Sequence, residues 1–211
     1  MTVFITRLCK RFSGLFLAVL LATAQVAFAA GIAVERAELS QTEDAYQLDA
    51  DFKIDVDAEV EEAINKGVAL HFLVEFALME PRSYWFDEEV TSASQVIRLS
   101  YHALSRQYLI NIGSHQTTFA SLTEALQALG SVQDWLVVEK SMLKKSAAYY
   151  AMLRMRLDHN RLPKPLQVSA IGSEKWNLVS ERHRWSPALD KPATDKPAAD
   201  KPSPEKTGTD K

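Results

Sequence analysis

The stretch Tyr46-Gln47-Leu48-Asp49-Ala50-Asp51-Phe52-Lys53-Ile54-Asp55-Val56 is apolar at every even position and polar at every odd one. Successive side chains of a β-strand leave opposite faces of the sheet, so a period of two reads as a strand with one dry face and one wet face. Clean alternation of this kind belongs to antiparallel sheets, which bury only one side. Val68, Leu70, Phe72, Val74, Phe76 and Leu78 repeat the pattern, and Tyr149, Ala151, Leu153, Met155 and Leu157 repeat it again with Arg154 and Arg156 outward. Weaker strands are expected over 94–102, 104–112, 132–140 and 166–170, with a first strand of mixed alternation over 32–39.

Two segments change to helical spacing. Asp57 caps a helix whose Glu59, Glu61 and Glu62 favour its positive end, with Val60, Ala63 and Ile64 as the apolar stripe and Gly67 as the stop. Ser121-Leu122-Thr123-Glu124 has the form of a capping box, followed by Ala125, Leu126 and Leu129 on one face and then Gly130. Seven to nine strands with two short helices predict a mainly β fold, an antiparallel two-sheet sandwich of immunoglobulin-like type. The alternative is an α+β sheet with helices on one face.

The two ends differ in kind from this middle. Arg7, Lys10 and Arg11 precede a short apolar run, and Ala27-Phe28-Ala29 places small residues where a signal peptidase cuts. Residues 1–29 are expected to be an export signal, removed to leave a periplasmic chain; an uncleaved N-terminal anchor is the alternative. Cleavage removes Cys9, the one cysteine, and with it disulfides and thiolate chemistry. It also leaves 21 basic residues against 27 acidic, a formal charge of −6, which offers no electrostatic footprint for nucleic acid. No transmembrane segment is expected after that cut. From Asp190 onward Asp-Lys-Pro recurs three times at five-residue spacing, followed at the same spacing by Glu205-Lys206 and Asp210-Lys211, a composition that cannot bury enough surface to offset the entropy of ordering. Residues 187–211 are therefore expected to be a disordered tail, and 30–186 the folded domain.

Chemistry is sparse. The histidines His71, His102, His115, His159 and His183 have no zinc spacing, and Gly113-Ser114-His115 lacks the strand, elbow and helix that a serine nucleophile needs. No glycine-rich phosphate loop is present, and no cofactor or metal is expected. Asp49 and Asp51 read as solvated charges and His71 as a surface residue. The densest stretch is Pro81-Arg82-Ser83-Tyr84-Trp85-Phe86-Asp87. Three adjacent aromatics cannot all share one side of a strand, so at least one is expected to be exposed, and exposed Tyr or Trp marks binding surfaces. The blander arrangement puts Tyr84 and Phe86 in the core with Trp85 on a loop. Arg98 and His102 share a parity and would stand beside Arg106 on the next strand, a cationic strip able to hold a carboxylate or phosphate. Arg82, Tyr84, Trp85, Arg98, His102 and Arg106 are thus the candidate binding residues. Asp87, Glu88 and His102 are the set a hydrolase would use.

The runs 61–72, 81–88, 98–104, 106–108 and 162–166 resemble a family of exported proteobacterial proteins, the domain of unknown function DUF4390, also labelled proline-rich signal peptide proteins. The resemblance spans about 32–185. It carries no activity and no catalytic residue. It implies a periplasmic role near membrane signalling, since genes of the family often neighbour a nitrogen-regulation-type sensor kinase and its response regulator. Together these readings point to a non-enzymatic periplasmic module that binds an envelope or inner-membrane protein, such as a two-component sensor kinase. A carbohydrate-active or other hydrolase of the envelope and a carrier of small apolar ligands are the alternatives.

Overall fold

The computed structural model describes residues 31–144 and 147–189; the stretch expected to be an export signal and the repeat from Asp190 onward lie outside them. The founding stretch is strand β2 (Ala45–Asp55), in which Tyr46, Leu48, Ala50, Phe52 and Ile54 are all buried. It pairs antiparallel with β1 (Gly31–Gln41), where an irregularity between Val34 and Arg36 accounts for the mixed alternation read there. The next hairpin is β3 (Leu70–Glu80) with β4 (Glu88–His102), followed by β5 (Gln107–Ile112) and β6 (His115–Phe119). β7 (Ser131–Glu139) returns to pair with β2, and β8 (Tyr150–Leu157) and β9 (His183–Trp185) close the far side. Two antiparallel sheets result, ordered β1-β2-β7 and β6-β5-β4-β3-β8-β9. The two-sheet sandwich expected from the periodicity is the fold the chain adopts.

Helix α1 (Ala58–Asn65) starts where Asp57 Oδ1 accepts the Glu59 amide at 2.9 Å and ends at Gly67, whose φ of 91° suits a residue without Cβ. Helix α2 (Leu122–Gly130) is capped as read, with Ser121 Oγ accepting the Glu124 amide at 3.2 Å. Gly130 is required for a different reason from Gly67. A Cβ there would lie 2.1 Å from the Phe52 carbonyl oxygen, so β2 and the end of α2 touch backbone to backbone.

Two strand expectations need correction, and two further strands carry no periodicity to read. Residues 166–170 form helix α3 (Lys164–Ala170), not a strand, because Pro163 and Pro165 pre-set the backbone of a first helical turn in which a missing N–H costs nothing. The strand expected from 104 begins at Gln107, since 103–106 form the β4–β5 turn and Arg106 adopts a φ of 53°. β6 and β9, of five and three residues, are too short and too polar to show a period.

Phe72, Phe76, Leu70 and Leu78 of β3 meet Leu48 of β2, Leu99 of β4 and Leu153 of β8 in the core, none more than 1 % exposed. Burying each such side chain stabilises the fold by about 1.5–3 kcal/mol. Trp176, in a short 3-10 turn after α3, is fully buried and donates its Nε1–H to Glu59 Oε1 at 2.9 Å, tying the C-terminal segment to α1. Leu189 is buried as well, with the Tyr46 hydroxyl donating to its carbonyl, so this residue of the stretch assigned to the tail packs on the domain.

Candidate functional site

Strands β3 and β4 run past their neighbours and are joined by residues 81–87, which carry the aromatic triplet. None of these residues is in a strand, so the parity argument that placed Tyr84 and Phe86 in the core has no purchase. Tyr84 is 94 % exposed, Trp85 80 % and Phe86 95 %. The tip is apolar but its base is held by charge. Arg82 pairs with Glu88, the Arg82 amide donates to Asp87 Oδ1 at 3.3 Å, and the Tyr150 hydroxyl donates to Asp87 Oδ2. Lys144 Nζ lies 2.8 Å from Glu80 and 3.8 Å from Glu88 across the hairpin stem. The Tyr150 hydroxyl, the Arg82 amide and the positive charge of Arg184 hold the Asp87 carboxyl below the usual carboxylate range. Hydrogen bonding to Asp87 in turn raises the Tyr150 phenol.

The other candidates do not join this tip. Arg98 stands on the outer face of β4, across from His71 on β3 and Asn111 on β5. His102 ends β4, and its Nδ1 accepts the Ser105 amide at 3.3 Å with the Ser105 hydroxyl 2.9 Å away, so the imidazole braces the β4–β5 turn. Arg106 belongs to that turn, not to the neighbouring strand, and the strip of Arg98, His102 and Arg106 is not formed. Asp87 and Glu88 stand at one end of the 15-residue β4 and His102 at the other, about 45 Å apart at the rise of a strand. The hydrolase set does not converge.

A different cationic cluster does form, on the outer face of the six-stranded sheet. Alternate residues of β3 pair across it: Glu75 with Ser94 and Arg154, Ala77 with Ser92 and Met152, and Met79 with Tyr150. Arg154 Nη2 lies 2.6 Å and Arg156 Nη2 3.3 Å from the Glu75 carboxylate. Burial pushes the Glu75 carboxyl up, and the hydrogen bonds and charges of the two arginines outweigh it, leaving it below its ordinary value. The Arg184 guanidinium lies over the Tyr150 ring, 3.5 Å from its centroid. Short side chains at Ala77, Ser92 and Ser94 leave a concavity of about 490 Å³ beside Arg154 and Arg182. His71, expected at the surface, is half-buried at the end of this face, its Nδ1 without a hydrogen-bond partner among the described residues.

Arg154 and Arg156 were legible as outward-facing from the alternation of β8. Arg182 and Arg184 were not, because β9 is three residues long, and nothing local signals that Tyr150 reaches Asp87. Among the described residues, no three His, Cys, Asp or Glu side chains come together in a way that could hold a metal ion. No helix among them is long and apolar enough to cross a membrane.

The molecule is thus a two-sheet β-sandwich whose polar chemistry is arranged on an outer face and a hairpin tip. The family model described as Domain of unknown function (DUF4390) matches residues 29–186, and the chain belongs to that family. No curated protein and no solved structure matches it.

Proposed function

We propose that this chain is a non-enzymatic binding module working on the exported side of a membrane, and that it holds an envelope or inner-membrane protein through the β3–β4 hairpin tip. The observation that carries this reading is the near-complete exposure of Tyr84, Trp85 and Phe86 together. Three large aromatics in water at one point oppose folding and solubility alike, and an exposed apolar cluster of this kind marks an interaction site. Each ring buries about 150–250 Å² when covered, so the three offer a gross gain on the order of 10 kcal/mol before association costs are met. The ion pairs and hydrogen bonds at residues 82, 87 and 88 fix the base of the tip, which reduces the ordering entropy that binding must overcome. A membrane-embedded sensor kinase is the partner class that the family resemblance implies.

The test is co-isolation from envelope membranes after crosslinking, comparing the wild-type chain with a Tyr84→Ala, Trp85→Ala, Phe86→Ala variant. These side chains make no core contact, so the variant should melt with the wild type while losing the protein that the wild type retains. Recovery of the same proteins by both would sink the reading, as would finding the chain confined to the cytosol.

A further inference from the structure

We infer that the outer face of the six-stranded sheet is a second binding site, for an extended acidic peptide segment laid across β4, β3, β8 and β9. The inference is independent of the hairpin tip.

Charge carries the first part of the argument. This face gathers Arg98, Arg154, Arg156, Arg182 and Arg184, in a chain whose formal charge is −3. Its central acid, Glu75, is already enclosed by Arg154 and Arg156, and one further acid, Glu89 opposite Met79, lines the concavity, so five arginines face two carboxylates. Arg98 and Arg182 are exposed and Arg184 is exposed over Tyr150, and no carboxylate lies within ion-pair distance of any of the three among the described residues. A guanidinium stacked on a ring keeps its N–H edge free, and that edge matches a carboxylate bidentately.

Shape carries the second part. Ala77, Ser92 and Ser94 sink the centre of the face into the 490 Å³ concavity, with the flexible thioethers of Met79 and Met152 beside it. Met152 pairs with Arg184 across β8 and β9, so an apolar seat and a cation stand side by side. The arginines stand on β4, on β8 and at β9, and with β3 between the first two the outer strands are three spacings of about 4.8 Å apart, about 14 Å in all. One small carboxylate cannot reach them all. A segment with acidic residues on either side of an apolar one can. The sunken centre and its enclosed Glu75 argue against a flat anionic surface such as a lipid headgroup layer.

The experiment is a fluorescence-anisotropy titration of the chain with a labelled decapeptide of alternating Glu and Leu. Competitors are inorganic phosphate and vesicles of three parts phosphatidylcholine to one part phosphatidylglycerol. Binding should weaken as salt is raised, and Arg182→Gln with Arg184→Gln should weaken it about tenfold or more, as loss of two bidentate partners requires. Ser92→Glu, which puts a charge into the floor without touching an arginine, should do the same. Arg36→Gln, on the opposite sheet, and the triple alanine variant of the hairpin tip should bind as the wild type does. No binding by the wild type, or equal binding by the arginine and Ser92 variants, would overturn the inference. So would vesicles or phosphate displacing the peptide at matched charge, which would assign the face to a membrane or a free anion.

Discussion

On the outer face of the three-stranded sheet, Arg36 Nε lies 2.9 Å from Asp51, Lys53 Nζ lies 3.4 Å from Asp55, and Asp49 accepts the Asp134 amide at 2.9 Å. On the outer face of the six-stranded sheet, one carboxylate serves two arginines while Arg98, Arg182 and Arg184 have none within ion-pair distance among the described residues. Both faces grow from the same alternation of dry and wet positions. The first answers both of its cations, Arg36 and Lys53, with carboxylates and turns a surplus of acid toward water, where such pairs contribute little to stability. The second keeps cations in surplus above a sunken floor of small side chains. Polar residues opposite a core therefore say only that a face is not core. The sign of the charge left unpaired tells what the face has left to bind.

The contrast depends on the inner faces being the same dry core, and the largest effect tests that. Phe76→Ala on the inner face of β3 should cost about 3–5 kcal/mol in urea unfolding, whereas Met152→Ala on the outer face of β8 should cost roughly 1 kcal/mol or less. Equal losses would mean that the assignment of faces is wrong. Gly130→Ala comes next. Its Cβ would strike the Phe52 carbonyl, and forced repacking of this kind costs about 1–3 kcal/mol. A stability equal to wild type would show that α2 and β2 do not meet as closely as described.

Glu75 sharpens the comparison directly, because it is the one acid of the arginine surface with two partners. Replacing Arg154 and Arg156 by methionine strands a half-buried carboxylate and should cost about 1–3 kcal/mol at neutral pH. The pH dependence should invert too. With its arginines, Glu75 titrates below its ordinary value, so its contribution is present above the unfolded pKa of about 4.3 and is lost as pH falls through the folded value. Without them burial alone acts, raising the pKa, and acidification should relieve the double variant. Melting curves at pH 4 and 7 separate the two cases. The matching change on the other sheet, Arg36→Gln, removes an exposed pair and should leave melting unchanged.

Much of this fold could be read before any coordinates, for reasons that differ along the chain. β2, β3 and β8 announce themselves because each buries one full row of side chains, which leaves a period of two over eight or more residues. α1 and α2 are legible because their caps are local chemistry. The site is less legible, because it depends on neighbours distant in sequence. Glu75 and Arg154 are 79 residues apart, and only the pairing of β3 with β8 brings them together. At least one of Tyr84, Trp85 and Phe86 was expected to be exposed and all three are, because strand parity was the wrong tool for a turn. Arg106 looked like a partner for His102 because a three-residue shift in where β5 begins turns a strand position into a turn position.

The smallest expected effect lies at His71, at the edge of the arginine surface. Burial, then the charges of Arg161 and Arg98, hold its imidazole below the ordinary value of 6.5, and Asp158 only partly opposes them. The unfolded chain therefore takes up the proton first as pH falls. The stability this group supplies is complete above about 6.5 and is lost as pH drops toward the folded value. His71→Leu removes the titration together with the unpartnered Nδ1, so its melting temperature should gain on the wild type steadily between pH 7.5 and 5.5. His102, His115, His159 and His183 are common to both chains and cancel in the difference. Arg98→Gln withdraws one repelling cation but leaves burial in place, so its curve should fall between the two. A wild-type slope in that variant would mean that the Arg98 charge does not reach the imidazole, and the cationic surplus would then end short of His71.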